Sequence, residues 1–394
     1  MSRKVCVLTS TRADYGLLRW LMKEVSSSLR LELQVIAAGM HLSEKYGQTW
    51  HEIEDDGFNI DERVSMDLEE DSPLAVSRAM GQALIGFAGA LDKLQPDILM
   101  LLGDRFEILA AASAALLAGI PVGHIHGGEV TEGAMDESLR HAITKMSQLH
   151  FVAARSYQRR VLQMGEIPEQ VYLVGGLGVD AIQRQPLLKR SELEKSLGHA
   201  LGKSNLLVTW HPETLLDSAA GSGSLDALLA VLEEQKNTHI IITLPNADPG
   251  NNLIRQRMED FAASHEHVFA HASLGQLRYL SLLKIADAVL GNSSSGLLEA
   301  PTLGTPTVNI GDRQRGRLRA DSVIDCKGYR QDIRAALDKA MSPAFQEMAA
   351  NVENPYGRGG AASRIVEILE SLSLDGLLLK PFNDLSFEMP ETSR

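Results

Sequence analysis

Two cysteines in 394 residues, Cys6 and Cys326, are too few for a disulfide framework and lack metal-ligand spacing. Their scarcity suits a reducing compartment, where thiols stay free. Basic residues are also short: 38 lysines and arginines face 51 aspartates and glutamates, a net charge of −13. That deficit argues against a general nucleic-acid or anionic-membrane binder, since both reward a basic surface. A local basic pocket for an anionic small molecule remains open. The apolar stretch 107–123 is interrupted by Ser113, Gly119 and Pro121 and begins at Glu107, so it reads as a buried helix running into a strand rather than a membrane span. No secretory leader is expected, because Arg12 and Asp14 end the first short apolar run. No Gly-Lys-Ser/Thr ending marks a P-loop and nothing resembles His-Glu-x-x-His. Gly175-Gly176-Leu177-Gly178 is too loosely spaced for a dinucleotide fingerprint and reads as a hinge. A cytoplasmic protein with no metal, nicotinamide or other cofactor is the expectation.

Hydrophobic residues at 44% supply real cores, and the length suits two domains. Strand-like and helix-like segments alternate. In the first half, strands are expected at Lys4–Thr9, Leu31–Ala38, Asp97–Leu102, Ile120–His124, His150–Ala153 and Val171–Val174, with helices at Tyr15–Ser28, Pro73–Leu94, Phe106–Ala118 and 136–149. In the second half, strands are expected at Asn205–Trp210, His239–Leu244, Val268–Ala270, Ala288–Gly291 and Thr307–Ile310. Helices are expected there at Leu225–Gln235, Asn252–His265, Leu274–Ile285 and Gly296–Leu303, and Ala219–Ser224 reads as a Gly/Ser loop. This alternation predicts an α/β protein of two doubly wound, Rossmann-like domains with a cleft at their strand carboxyl ends. The expected boundaries are 1–178 and 179–358, then a helix over 359–372 and a loosely attached tail over 373–394.

The chemistry-bearing residues cluster where strands end, as functional loops do. Residues 121–145 pack His124, His126, Glu129, Glu132, Asp136, Glu137, Arg140 and His141 around Gly127-Gly128, too many proton-transfer groups for a purely structural connection. His124 is the exception: it falls within the predicted strand and reads as a core residue. Arg12 and Asp14, Asp104 and Arg105, and His211 each follow a predicted strand, as do Asn246 and Asp248. Gly291-Asn292-Ser293-Ser294-Ser295-Gly296 precedes a helix and suits an anion, with free N–H groups and three hydroxyls. Asp312–Arg319 carries four arginines; Arg317 is the one expected to meet a ligand, while Arg315 and Arg319 fit a solvated loop.

Taken in order, these pieces resemble the hydrolysing UDP-N-acetylglucosamine 2-epimerases of sialic acid and related nonulosonic acid pathways. The matching segments, over about residues 1–370, are Thr9–Tyr15, Gly103-Asp104-Arg105, His126-Gly127-Gly128-Glu129, Asp136–His141, His211-Pro212, Gly291–Ser294 with Glu299, and Arg313–Arg317. The resemblance implies the glycosyltransferase-B fold, with the last helix crossing back onto the first domain, and a homodimer. The small-residue helices 78–90 and 107–118 are candidates for such an interface. It implies that Arg12, Arg105, Ser293, Ser294, Glu299 and Arg317 hold UDP, Glu299 at the ribose and Ser293, Ser294 and Arg317 at the phosphates.

The implied reaction eliminates UDP across carbons 1 and 2 of the sugar and hydrates the resulting glycal with inversion at carbon 2. Asp104 and Asp136 correspond to family carboxylates. A third family carboxylate stands where this chain has His126, so His126 or Glu129 takes its role. His211 faces the diphosphate, where an imidazolium would stabilise the leaving group. His41, Arg140 and Asn246 are the candidates for sugar contacts. The substrate is expected to be UDP-N-acetylglucosamine, with UDP-2,4-diacetamido-2,4,6-trideoxyglucose, for legionaminic acid, as the alternative. A non-hydrolysing epimerase, a glycosyltransferase of the same fold and a UDP-sugar-binding regulator are the remaining readings.

Overall fold

The structure, a computed structural model, describes residues 2–70, 72–130, 135–211, 220–244, 252–272 and 274–386. The chain forms two compact units. The first comprises Met1–Ala181 together with Gly359–Arg394, and the second Ile182–Arg358.

Unit 1 is built on strands β1 (Arg3–Thr9), β2 (Leu31–Ala38), β3 (Glu62–Val64), β4 (Ile98–Leu102), β5 (Val122–Ile125), β6 (Leu149–Val152) and β7 (Val171–Leu173). Their order in the sheet is β3-β2-β1-β4-β5-β6-β7, every pair parallel. Helices connect the strands and cover both faces, which is why the strands read as near-continuous apolar runs. Period-2 alternation divides each strand between two cores. Val5, Val7, Met100 and Leu102 join one cluster, and Cys6, Leu8, Leu99 and Leu101 the other.

Unit 2 repeats the plan with β8 (Asn205–Thr209), β9 (His239–Thr243), β10 (Val268–His271), β11 (Ala288–Gly291), β12 (Thr307–Ile310) and β13 (Val323–Cys326). The order is β10-β9-β8-β11-β12-β13, again all parallel. Each sheet therefore has one switch point, β1/β4 in unit 1 and β8/β11 in unit 2. There the order reverses, the position at which open parallel sheets bind ligands.

The α/β class and both doubly wound sheets agree with the sequence expectation, and the corrections are local. The edge strands β3 and β13 went unread: the first has three residues, two of them charged, and neither shows an apolar run. The stretch Ala219–Ser224 is not a loop over its described part, because a helix spans Ala220–Leu232. Glycine and serine are weak helix formers, but Leu225, Leu228, Val231 and Leu232 are fully buried and anchor the helix by its apolar face. Gly175 and Gly176 lead into a helix, Leu177–Arg184, whose first residue is buried in the unit 1 core. The expected helix Gly296–Leu303 is two single turns, Ser295–Leu298 and Ala300–Leu303, divided at Glu299.

The helix Ala361–Ser371 packs in unit 1: Ala361, Ala362, Ile365 and Leu369 share a core with Leu18, Leu21, Met22 and Val25. Asp180 caps it, accepting from the N–H groups of Gly360 at 2.5 Å and Ala362 at 2.8 Å. The tail beyond it is not loosely attached over its described part. Leu377 is buried, Phe382 lies against Gly165, and the Asn383 N–H donates to the Gly165 carbonyl at 2.9 Å. Lys380 reaches the fully buried carboxylate of Glu166 at 2.8 Å. A single lysine in a stretch that mixes leucines with polar residues at no fixed period left no signal for sequence reading to find. Among the described residues one helix, Pro73–Leu94, is long and apolar enough to span a membrane by length and composition. Here it packs on Phe106–Ala118 through Ala79, Ala83, Phe87, Ala90 and Leu91.

Candidate active site

At the unit 1 switch point, the chain leaves β1 through Ser10-Thr11 into the helix Arg12–Ser27, with Thr11 and Asp14 forming a reciprocal capping box. The Asp14 carboxylate accepts from Thr9 Oγ1 at 2.5 Å, from the Ser10 N–H at 3.0 Å and from the Thr11 N–H at 3.1 Å. It is a structural anchor for this turn. Arg12, the first residue of the helix, is largely exposed and its Nε meets Glu52 at 3.1 Å. His41 is fully buried, with Nε2 2.9 Å from Thr9 Oγ1 and Nδ1 2.8 Å from Thr49 Oγ1. Burial holds its pKa below the ordinary value against the opposing pull of Asp14. Both nitrogens being occupied, His41 braces the turn in this structure.

Across the switch point β4 ends at Gly103-Asp104-Arg105. Arg105 Nε donates to Glu107 Oε1 at 2.5 Å, and the Ser10 hydroxyl lies 3.0 Å from the same oxygen. Glu107 is buried, and its other oxygen has no hydrogen-bond partner among the described residues. This carboxylate orients Arg105 and was not singled out from sequence; a charged residue opening an apolar helix was the available signal. Asp104 pairs with Arg140 Nη2, while Arg140 Nη1 donates to Glu137 at 2.9 Å and to the Glu129 carbonyl at 2.8 Å. Arg140 is buried to 4% side-chain exposure. It therefore ties Asp104, Glu137 and the 126–129 loop together.

Asp136 opens the helix Met135–Met146. Burial pushes its pKa up, and the charge of Asp104 adds to the shift. Asp104 is ion-paired with Arg140, whereas burial favours the protonated form of the neighbouring Asp136.

After β5, His126 adopts φ +66, a left-handed conformation uncommon outside glycine. Gly128 follows at φ +77, and a Cβ there would meet the Tyr157 carbonyl at 2.6 Å. The tight turn folds the two side chains together: His126 Nδ1 lies 3.1 Å from Glu129 Oε1. His124 is a core residue, as expected of its place within the strand, its Nε2 on the Gly103 carbonyl at 2.8 Å, and burial lowers its pKa to about 3.

At the unit 2 switch point, Gly291 stands at φ +134, where a Cβ would overlap the Thr209 carbonyl oxygen, so the ends of β8 and β11 touch backbone to backbone. Asn292, fully buried, clamps His211 from both sides: its Oδ1 accepts from the His211 N–H at 2.7 Å and its Nδ2 donates to the His211 carbonyl at 2.8 Å. Burial lowers the His211 pKa and the Arg313 charge lowers it further. Without a ligand His211 is thus a neutral imidazole at pH 7, and a cationic role requires a bound anion.

Arg313 Nη1 and the buried Gln314 Nε2 both donate to the Asn292 carbonyl, at 3.1 and 2.9 Å. Arg317 makes no hydrogen bond to that loop among the described residues, so Arg313 is the arginine held at the serine turn. Chain spacing alone does not distinguish the two. Glu299 accepts from Ser295 Oγ at 2.5 Å, and Tyr279 donates to the same hydroxyl at 2.7 Å. Burial raises the Glu299 pKa. Ser293 and Ser294 are half-buried at the start of the single turn Ser295–Leu298. A four-residue turn has little dipole, so anion binding there rests on hydroxyls and N–H groups. Asn246 lies outside the described residues, as do Glu132, Pro212, Glu213 and Asp248. Among the described residues no group of three or more His, Cys, Asp or Glu side chains is placed to hold a metal ion.

A family model described as UDP-N-acetylglucosamine 2-epimerase matches residues 23–370. The chain is 40% identical to the GDP/UDP-N,N'-diacetylbacillosamine 2-epimerase (hydrolyzing) of Campylobacter jejuni, over 97% of this chain and 99% of that protein. It is 35% identical to the UDP-N,N'-diacetylbacillosamine 2-epimerase (hydrolyzing) of Legionella pneumophila, over 97% and 100%. Among solved structures, the UDP-GlcNAc 2-epimerase from Neisseria meningitidis bound to UDP-GlcNAc superposes with a TM-score of 0.77 at 21% identity, covering 93% of this chain and 99% of that one.

Proposed function

The chain belongs to the UDP-N-acetylglucosamine 2-epimerase family, among its hydrolysing UDP-sugar enzymes, and from that premise we propose that its substrate is UDP-2,4-diacetamido-2,4,6-trideoxyglucose, the UDP-diacetylbacillosamine of its relatives. The observation that carries this choice is end-to-end similarity to two hydrolysing enzymes that bear this substrate in their names. UDP-N-acetylglucosamine is the second reading, favoured by the family description.

In this proposal a base removes the carbon 2 proton while the carbon 1–oxygen bond breaks and its electron pair leaves with UDP. Water then adds its oxygen to carbon 1 and a proton returns to the opposite face of carbon 2. Asp104 and Asp136, with one member of the His126–Glu129 pair as the third group, handle the protons. The raised pKa of Asp136 beside the ion-paired Asp104 supports an acid role for Asp136. Arg12, Arg105, Ser293, Ser294, Glu299 and Arg317 are proposed for the nucleotide, joined by Arg313 because of its place at the Asn292 carbonyl. His211 serves the departing diphosphate and becomes cationic as that charge arrives. The enzyme is taken to be a cytoplasmic homodimer working on free nucleotide sugars, with sedimentation velocity as the check on its assembly.

The test is incubation with the UDP-diacetamido sugar, its GDP counterpart and UDP-N-acetylglucosamine in deuterated water, followed by NMR. Free UDP and a manno-configured diacetamido sugar carrying deuterium at carbon 2 are expected. A product still linked to nucleotide would overturn the hydrolytic reading. Faster turnover of UDP-N-acetylglucosamine would overturn the substrate choice.

A further inference from the structure

Resting on the reading that this chain is a hydrolysing 2-epimerase, we propose that Glu129 is the proton-transfer carboxylate of the β5 corner and that His126 is a positioning residue that does not exchange its proton. The argument is one of hydrogen-bond direction. The Leu177 backbone N–H points at His126 Nε2 at 3.4 Å. A backbone N–H can only donate, so Nε2 supplies a lone pair and carries no proton. The single proton of the neutral ring is therefore on Nδ1, which lies 3.1 Å from Glu129 Oε1 and donates to it.

Protonating Nε2 would set two N–H groups head to head and forfeit the Leu177 bond. Leu177 cannot retreat easily, since its side chain is 1% exposed in the unit 1 core and it begins the helix Leu177–Arg184. The ring is equally constrained. His126 sits at φ +66, and its own N–H donates to the Phe151 carbonyl at 3.0 Å. Gly127 and Gly128 pack the next residues against His124, Thr144 and Tyr157. The imidazole is held at both nitrogens, as a strut between a helix end and a carboxylate.

Glu129 has the opposite character. Its side chain keeps 26% exposure, and Arg140, which pairs with Asp104 and Glu137, also holds the Glu129 carbonyl. Charge at Glu129 is stabilised by the Nδ1 proton and by the nearby Arg140 guanidinium, and a carboxylate so placed can accept a substrate proton and return it.

The experiment compares His126→Asn, Glu129→Gln and Glu129→Asp with wild type on the three nucleotide sugars. Asparagine tolerates the left-handed conformation and its amide N–H can stand in for Nδ1–H, yet it cannot transfer a proton. His126→Asn is expected to keep kcat within about tenfold and to keep the wild-type pH profile of kcat/KM. Glu129→Gln is expected to lose about 10²–10⁴ in kcat, with part restored in Glu129→Asp. A loss in His126→Asn as deep as in Glu129→Gln, in a variant with a wild-type melting profile, overturns the assignment. So does loss of one limb of the pH profile in that variant. Independent of any variant's folding, ¹⁵N spectra of histidine-labelled wild type should show His126 as the Nδ1–H tautomer; an Nε2–H tautomer refutes the geometry. Wild type inactive on all three sugars sinks the functional reading, and this assignment with it; activity in wild type with equal losses sinks this assignment alone.

Discussion

Asp104 and Asp136 carry the same carboxyl group into unlike surroundings. Asp104 is paired with a buried guanidinium, whereas Asp136 is raised first by burial and then by the charge of Asp104. Asp104→Asn should abolish turnover while leaving UDP affinity within a few-fold by calorimetry; proportional loss of both would make it a binding residue. The same substitution removes a repelling charge, so the Asp136 carboxyl, followed by ¹³C NMR, should titrate at lower pH than in wild type, and no movement would refute the coupling. Arg140→Gln should cost about 3 kcal/mol in urea unfolding, because it strands buried or half-buried carboxylates, and should lower kcat as well. Retained stability would show that Asp104 and Glu137 rehydrate freely.

Among the elements, two short pieces matter beyond their length. The tail strap delivers Lys380 to Glu166, whose buried carboxylate also takes His150 at 2.8 Å and Lys145 at 2.6 Å. Lys145 closes the helix Met135–Met146, which bears Asp136 and Arg140 at its other end and middle. Truncation after Leu372 should therefore cost unit 1 about 2–4 kcal/mol, read from urea unfolding of Trp20 and Trp50 fluorescence, and should lower kcat. An unchanged midpoint would mean that the strap adds nothing to unit 1. The second piece is the turn at Gly291. Gly291→Ala meets the Thr209 carbonyl at a backbone angle alanine avoids, so a loss of about 2–4 kcal/mol or of UDP binding is expected; a variant with wild-type stability and affinity would show that the two strand ends separate readily.

The whole chain stores acid sensitivity in buried neutral histidines. An exposed histidine binds a proton near 6.5, whereas burial holds His124 off until about 3. The unfolded state thus takes up protons first as pH falls. Stability from this site is whole above 6.5 and is lost on the way down to 3. For Glu166, burial pushes the pKa up but the bonds from His150, Lys145 and Lys380 outweigh it, giving about 2, so its contribution is lost between 4.5 and 2. Urea midpoints should therefore fall steadily from pH 7 to 3, with His124→Gln flattening the part above pH 4.5. A midpoint independent of pH over that range would contradict both assignments.

Strand and helix periodicity, with polar groups at the strand ends, determined the two doubly wound sheets and the candidate segments, because alternation and burial are local consequences of residue order. Leu31–Ala38, Pro73–Leu94 and Ala288–Gly291 are as legible in the residues as in the fold. Tertiary structure alone decided which side chains meet. It gave Arg140 to Asp104, Glu107 to Arg105, Arg313 rather than Arg317 to the serine turn, and Lys380 to Glu166 across more than two hundred residues. It also set the direction of each hydrogen bond at His126, which depends on a backbone N–H fifty-one residues away. Such pairings are fixed by where buried charges find partners in three dimensions, and no local pattern records that.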